Sequence, residues 1–126
     1  MKLHALLFLA SMGLSTLAFA QSDSYVGTVT ETTVDLTISP STTRDQLARM
    51  QKDLHEQGLS FRYDNIDWIN GELVSIQIGL KDPSTGTSQV FMTEDLGGST
   101  SAIRVFMDRT EGAPTPIYIG EANTKN

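Results

Sequence analysis

The clearest structural pattern in the chain lies in residues 43–58, TRDQLARMQKDLHEQG. Leu47, Met50 and Leu54 recur at positions i, i+3 and i+7, so they share one face of a helix. This spacing predicts an amphipathic helix over 43–57, whose apolar face is buried against the rest of the domain.

Capping signals stand at both ends of this helix. Thr43 and Gln46 fit a capping box, in which the two side chains satisfy backbone N–H groups at the start of a helix. Gly58 suits the left-handed position just beyond the helix, and Leu59 would then contact Leu54 across a Schellman turn. We therefore expect the helix to begin and end sharply.

Apolar residues alternate with polar ones on both sides of the helix, as is typical of strands buried on one face. The first run carries Val34, Leu36 and Ile38 and stops at Pro40, which cannot donate to a sheet. Further strands are predicted within 59–68, 74–80, 90–93, 103–107 and 117–119, with a flexible loop at 97–101 and an extended segment at 113–116. The expected class is α+β, with one helix packed on one face of a four- to five-stranded, mainly antiparallel sheet.

Asn70-Gly71 predicts a hairpin, because both residues tolerate positive φ. A two-residue turn would leave Ile66, Trp68 and Leu73 on the outer sheet face, as an apolar patch for a binding partner. A three-residue turn with a bulge at Asp64-Asn65 would instead bury Ile66 and Trp68 with the apolar residues of the returning strand. We favour the second register, since burial of one face sets the register.

The N-terminus has the pattern of an export signal. Met1-Lys2 supplies positive charge, residues 3–14 are largely apolar, and Ala18-Phe19-Ala20 is a small-x-small cleavage pattern. Polar residues interrupt the apolar run, which falls short of the about 20 apolar residues of a membrane span. We expect cleavage after Ala20 and a periplasmic or secreted protein without stable membrane insertion.

The remaining chain has the length of one domain. The predicted division is a signal peptide at 1–20, a Ser/Thr-rich flexible lead-in at 21–33 that could enter an edge strand, a single α+β domain at 34–120 and a polar tail at 121–126. The formal net charge is −6, which argues against a nucleic-acid partner. The absence of cysteine excludes disulfides, thiolate nucleophiles and cysteine-ligated metals.

The chemically reactive residues do not form a complete motif. His55 is the only histidine after signal removal, and Leu59 stands where a zinc-peptidase helix needs its second histidine. No serine lies in Gly-x-Ser-x-Gly. We therefore predict no catalytic residue, no metal and no cofactor. The alternative, a small hydrolase using Asp64, Asp67 or Glu94, requires two carboxylates to converge in a cleft.

Structural motifs spread over about residues 34–120 carry a resemblance to a known family. They are Leu36-Thr37-Ile38, Thr42-Thr43-x-x-Gln46-Leu47, Gly58, Phe61-x-Tyr63-x-Asn65, Asn70-Gly71-Glu72-Leu73, Ile76-x-Ile78 and Pro116-Ile117-x-Ile119. Their order resembles the small extracytoplasmic C-terminal domain that follows the membrane metallopeptidase part of bacterial beta-lactam-sensor-like proteins. The resemblance implies a free-standing exported α+β module, and it carries no peptidase activity because the peptidase part is absent.

The sequence thus favours an exported, non-catalytic binding or interaction module. Envelope sensing or partner binding is the expected role, and another envelope protein is the expected partner. The two alternatives are the carboxylate-dependent hydrolase and a structural envelope-associated protein that self-associates through its outer sheet face.

Export makes a direct prediction. The exported protein should begin at Gln21, so its intact mass should correspond to residues 21–126. Ala20→Arg should block cleavage, because only small side chains fit the peptidase pocket at that position. Phe19→Leu, at the tolerant middle position, is the control. An exported chain that still begins at Met1 would contradict the prediction.

Overall fold

In the computed structural model of the chain, the described residues are 24–112 and 117–122. They form one helix and seven strands in the order β1 (Gly27–Val29), β2 (Thr33–Ile38), α1 (Arg44–Glu56), β3 (Ser60–Ile69), β4 (Glu72–Asp82), β5 (Thr87–Thr93), β6 (Ile103–Asp108) and β7 (Ile117–Glu121). The predicted signal peptide, the extended segment at 113–116 and residues 123–126 of the predicted tail lie outside the described residues.

The strands form two antiparallel sheets, ordered β1-β2-β6-β7 and β3-β4-β5. This confirms the α+β class and the mainly antiparallel pairing. The described part of the chain has seven strands in two sheets, whereas the sequence predicted four or five strands in a single sheet. The second sheet arises because β6 pairs with β2, which is distant in sequence. The lead-in also contributes, since Gly27–Val29 form the edge strand β1.

Both predicted caps of α1 are confirmed. The Thr43 hydroxyl accepts a hydrogen bond from the Gln46 N–H at 3.1 Å, and the Gln46 side chain accepts one from the Thr43 N–H at 2.9 Å. At the other end, the Leu59 N–H donates to the Leu54 carbonyl at 3.0 Å across Gly58, whose φ is +81°. This is the Schellman arrangement, and it returns the chain directly into β3.

The core is one cluster of buried apolar side chains from α1 and both sheets. From α1 it includes Leu47, Met50 and Leu54, each 0% exposed. The strands contribute Val34, Leu36 and Ile38 of β2, Phe61 of β3, Leu73, Ile76, Ile78 and Leu80 of β4, Ile103, Val105 and Met107 of β6, and Ile117 and Ile119 of β7. Among the described residues, no helix combines the length and apolarity needed to cross a membrane.

The β3–β4 hairpin closes with a two-residue turn. Ile69 pairs with Glu72 around Asn70 and Gly71, whose φ values are +53° and +80°. The favoured three-residue turn is therefore wrong. Asn-Gly suits the tighter turn because both central residues can adopt positive φ.

Two compensating irregularities keep the apolar residues of this hairpin on the core side. The pairing passes from Asp64–Gln77 to Asp67–Ser75, which inserts one extra residue in β3 at Asn65-Ile66. It then passes to Trp68–Leu73, which inserts Val74 in β4 and restores the original register. The bulge predicted at Asp64-Asn65 is thus present beside the tighter turn, and the second bulge allows Leu73 to reach the core.

The segment before β2 is tied to α1 by hydrogen bonds. The Tyr25 hydroxyl donates to the Asp53 carboxylate at 2.6 Å, and the Gln46 side chain donates to the Ser24 carbonyl. Burial, together with the hydrogen bond to Asp53, raises the pKa of Tyr25 well above its usual value. The folded state therefore holds the protonated phenol.

Removal of the N-cap should weaken the fold measurably. Thr43→Ala eliminates the acceptor for the Gln46 N–H and should lower the free energy of unfolding by about 1 kcal/mol, as measured by urea denaturation. Thr43→Ser keeps a hydroxyl and is the matched control. Equal stability of the two variants would show that the cap contributes nothing.

The Tyr25–Asp53 bond predicts a stability difference at alkaline pH. The folded-state pKa of Tyr25 is raised above its unfolded value of about 10, so its contribution is complete below that pH and is lost as the pH rises further. The unfolding free energy of the native chain should exceed that of Tyr25→Phe near neutral pH, and the gap should narrow above about pH 10. A difference in unfolding free energy that stays constant above about pH 10 would contradict the raised pKa of Tyr25.

Candidate functional site

A groove of about 620 Å³ runs between α1 and the start of β3 and is called here the helix–β3 groove. It is lined by Ala48, Gln51, Lys52 and His55 of α1, by residues 58–62 and by Pro83. The Gln51 side chain donates to the Phe61 carbonyl at 2.9 Å, which fixes the distance between helix and strand. The groove therefore depends on the docking of α1 and on the sharp return at Gly58.

Buried apolar residues lie beneath the groove, and the exposed basic residues that line it are called here the basic rim. Leu59 and Phe61 are 1% and 2% exposed, whereas Lys52, His55 and Arg62 are exposed to solvent. None of the described residues that line the groove is an aspartate or a glutamate. In a chain with 15 acidic and 9 basic residues, this is a local reversal of charge.

A second recess, of about 200 Å³, adjoins the groove on the outer face of the β3-β4-β5 sheet. It is called the Gly79 recess and is lined by Ser60 and Arg62 of β3, residues 79–81 of β4 and residues 88–90 of β5. Gly79 lies between Arg62 and Val90 in the sheet register, and its missing side chain leaves the depression. Ser60 and Arg62 line both cavities, so the two cavities are adjacent.

The basic residues around these cavities are only weakly engaged within the fold. Lys52 pairs with Glu56 at 2.8 Å, but both side chains are more than half exposed, and such pairs contribute little stability. Arg62 and Lys81 form no ion pair with any other described residue. Their charges can therefore interact with a ligand at little cost to the fold.

Cations elsewhere in the fold have defined internal partners. Arg104 makes two hydrogen bonds to the Asp35 carboxylate, at 3.0 and 2.9 Å, between neighbouring strands β6 and β2. Arg109 lies 3.9 Å from the buried Asp82 carboxylate and donates to the Gln57 carbonyl at the end of α1. These contacts join segments of the chain, which assigns both arginines a structural role.

The three residues predicted as a binding patch lie toward the core. Leu73 is 0% exposed, and Ile66 and Trp68 pack against the buried cluster. The Arg44 guanidinium lies 5.1 Å from the centre of the Trp68 ring and covers it from the helix side. Ile66, Trp68 and Leu73 therefore do not form an outer-face patch, because the two bulges turn them inward.

The three carboxylates of the hydrolase alternative lie at the surface. Asp64, Asp67 and Glu94 are all exposed to solvent. The neighbouring Asp95 carboxylate accepts a hydrogen bond from the Ser99 N–H at 2.8 Å, so it organises the loop that was expected to be flexible. Within the described part of the chain, no three His, Cys, Asp or Glu side chains are grouped so as to hold a metal ion.

The basic rim was not identified from the sequence, although part of its signal was present. Lys52 and His55 are three residues apart in the predicted helix and therefore lie on one face. His55 is exposed in the last turn of α1. Arg62 and Lys81 could be placed on the outer face by alternation, but the position of Arg62 beside α1 depends on tertiary packing.

Comparison of the chain with protein-family models, with curated proteins and with solved structures finds no match.

Proposed function

We propose that this chain is an exported, non-catalytic binding module that receives another envelope protein in the helix–β3 groove. The observation that carries the proposal is the groove itself, which has a volume of about 620 Å³ and is lined by the exposed apolar residues Ala48 and Pro83 and by the basic rim. A recess with these features can bind and orient a partner. Ser60 and His55 both line the groove, but no hydrogen bond between described residues joins them, and no lining carboxylate is present to orient the histidine as a base.

The proposal also covers the location of the protein and the packing of α1. The N-terminal pattern at 1–20 and the resemblance to the small extracytoplasmic C-terminal domain of beta-lactam-sensor-like proteins support a location outside the cytoplasm. The proposal includes α1 lying across one face of the β3-β4-β5 sheet. The complete burial of Leu47, Met50 and Leu54 supports that packing.

Self-association as a structural envelope protein is the second candidate. Val90 and Met92 on β5 are 64% and 48% exposed, and both are apolar. An exposed apolar pair on a strand can pair two copies of a chain. This candidate predicts a dimer whose population rises with concentration in sedimentation velocity. The double substitution Val90→Ser and Met92→Ser would abolish that dimer.

The hydrolase alternative has no comparable support, since Asp64, Asp67 and Glu94 are each exposed to solvent.

Site-specific cross-linking tests the proposed function. A photo-reactive benzoylphenylalanine is placed at Ala48, which is exposed on the groove wall, in the chain expressed in its native envelope. We expect one discrete adduct after irradiation. The same group at Glu72, at the tip of the β3–β4 hairpin, is the position control and should give no such adduct.

A charge-matched pair of variants shows whether the adduct depends on the groove. Arg62→Gln removes a rim charge and should reduce the yield of the Ala48 adduct several-fold. Arg104→Gln removes one charge from the other sheet. Its ion pair with Asp35 is exposed and contributes little stability, so the fold should be retained and the yield unchanged. Equal adducts from both positions, or no adduct at Ala48, would contradict the proposed function.

A further inference from the structure

We infer that the groove and the Gly79 recess together recognise one class of ligand: a flexible polypeptide segment that carries both acidic and apolar side chains. This inference rests on the proposed function and adds the chemistry of the partner. The two cavities share Ser60 and Arg62, so one segment can lie in the groove, cross β3 and continue over Gly79.

The acidic character of the ligand follows from the charge of the two linings. They contain Lys52, His55, Arg62 and Lys81, and no described lining residue is acidic. The whole chain nevertheless carries a net charge of −6. A carboxylate that approaches this surface is attracted by the rim, whereas most of the remaining surface repels it. The ligand's charged side chains are therefore negative.

The apolar character follows from what lies between the basic residues. Val90 is 64% exposed beside the Gly79 recess, and Pro83 borders the groove. The absence of a side chain at Gly79 leaves space for a small apolar group against Val90. Apolar side chains of the ligand can be buried at these points while neighbouring carboxylates meet the cations.

A polypeptide fits these features better than a polysaccharide or a membrane does. Sugar rings stack on exposed aromatic faces, but Phe61, the aromatic residue in these linings, is 2% exposed. An anionic bilayer would be repelled by the net negative charge of the chain outside a narrow basic surface. A flexible segment of another protein can follow the bend from the groove to the sheet face.

The ligand is recognised through its side chains and not as an added strand. β3 is an edge strand, and edge strands commonly pair with extended peptides. Here the Phe61 carbonyl already accepts a hydrogen bond from the Gln51 side chain. One backbone acceptor on the edge of β3 next to the groove is thus already engaged, whereas the side chains of Arg62 and Lys81 remain exposed.

An NMR titration of the chain from Gln21 onward tests the inference. The probe is a blocked peptide of alternating glutamate and valine, and the comparison peptides alternate glutamine with valine and lysine with valine. Dextran sulfate and vesicles of phosphatidylglycerol with phosphatidylethanolamine test other anionic ligands. We expect the glutamate–valine peptide to shift amides of residues 58–62 and 79–81, with an affinity that falls at about 0.5 M NaCl.

Substitution of the exposed cations tests whether they contribute to the binding free energy. Arg62→Gln combined with Lys81→Gln should weaken binding of the glutamate–valine peptide about tenfold. Both side chains are exposed, so the dispersion of the amide spectrum should show a retained fold. Arg104→Gln, which changes charge on the other sheet, should bind as the native chain does.

Several results would overturn the inference. Equal binding of the glutamine–valine peptide would remove the role of charge. Binding of dextran sulfate or of vesicles at the same amides, with no effect of the glutamate–valine peptide, would identify another ligand class. An Ala48 adduct without glutamate–valine binding would leave the proposed function intact and reject only this ligand chemistry. Peptide binding without that adduct would support the ligand chemistry and reject the envelope-protein partner.

Discussion

Burial of the apolar face of α1 is the interaction on which the structure depends. Leu47, Met50 and Leu54 are fully buried, and each such side chain contributes about 1.5–3 kcal/mol on burial. The chain has no cysteine, so no disulfide shares this task. A domain of this size has a small net stability, and loss of the helix contacts would remove much of it.

The same short segment that stabilises the fold also forms the candidate site. The inner face of α1 is buried, while Lys52 and His55 on its outer side border the groove. The Schellman turn at Gly58 then brings the chain back alongside the helix as β3. The position of Arg62 is thereby fixed relative to Lys52. A binding surface placed on a rigid helix–turn–strand unit needs little reorganisation when a ligand arrives.

The sequence predicted the structural elements that depend on interactions between residues close together in the chain. The capping box, the helix and the alternating strands each depend on neighbouring residues, and all were found as expected. The division into two sheets depends on long-range pairing, which alternation does not encode. The hairpin illustrates the difference: Leu73 and Val74 are both apolar, so the sequence does not indicate which residue forms the bulge. The basic rim was missed because its exposed charges come together only when packing brings α1 and β3 side by side.

Native-state hydrogen exchange shows whether α1 is an integral part of the core. If α1 is an integral part of the core, its interior amides should exchange with the same free energy of opening as those of β4, close to the global unfolding free energy. If α1 amides exchange at rates near those of a free peptide while β4 remains protected, the helix is a dispensable attachment. The account of the fold, and of the groove built on it, would then be contradicted.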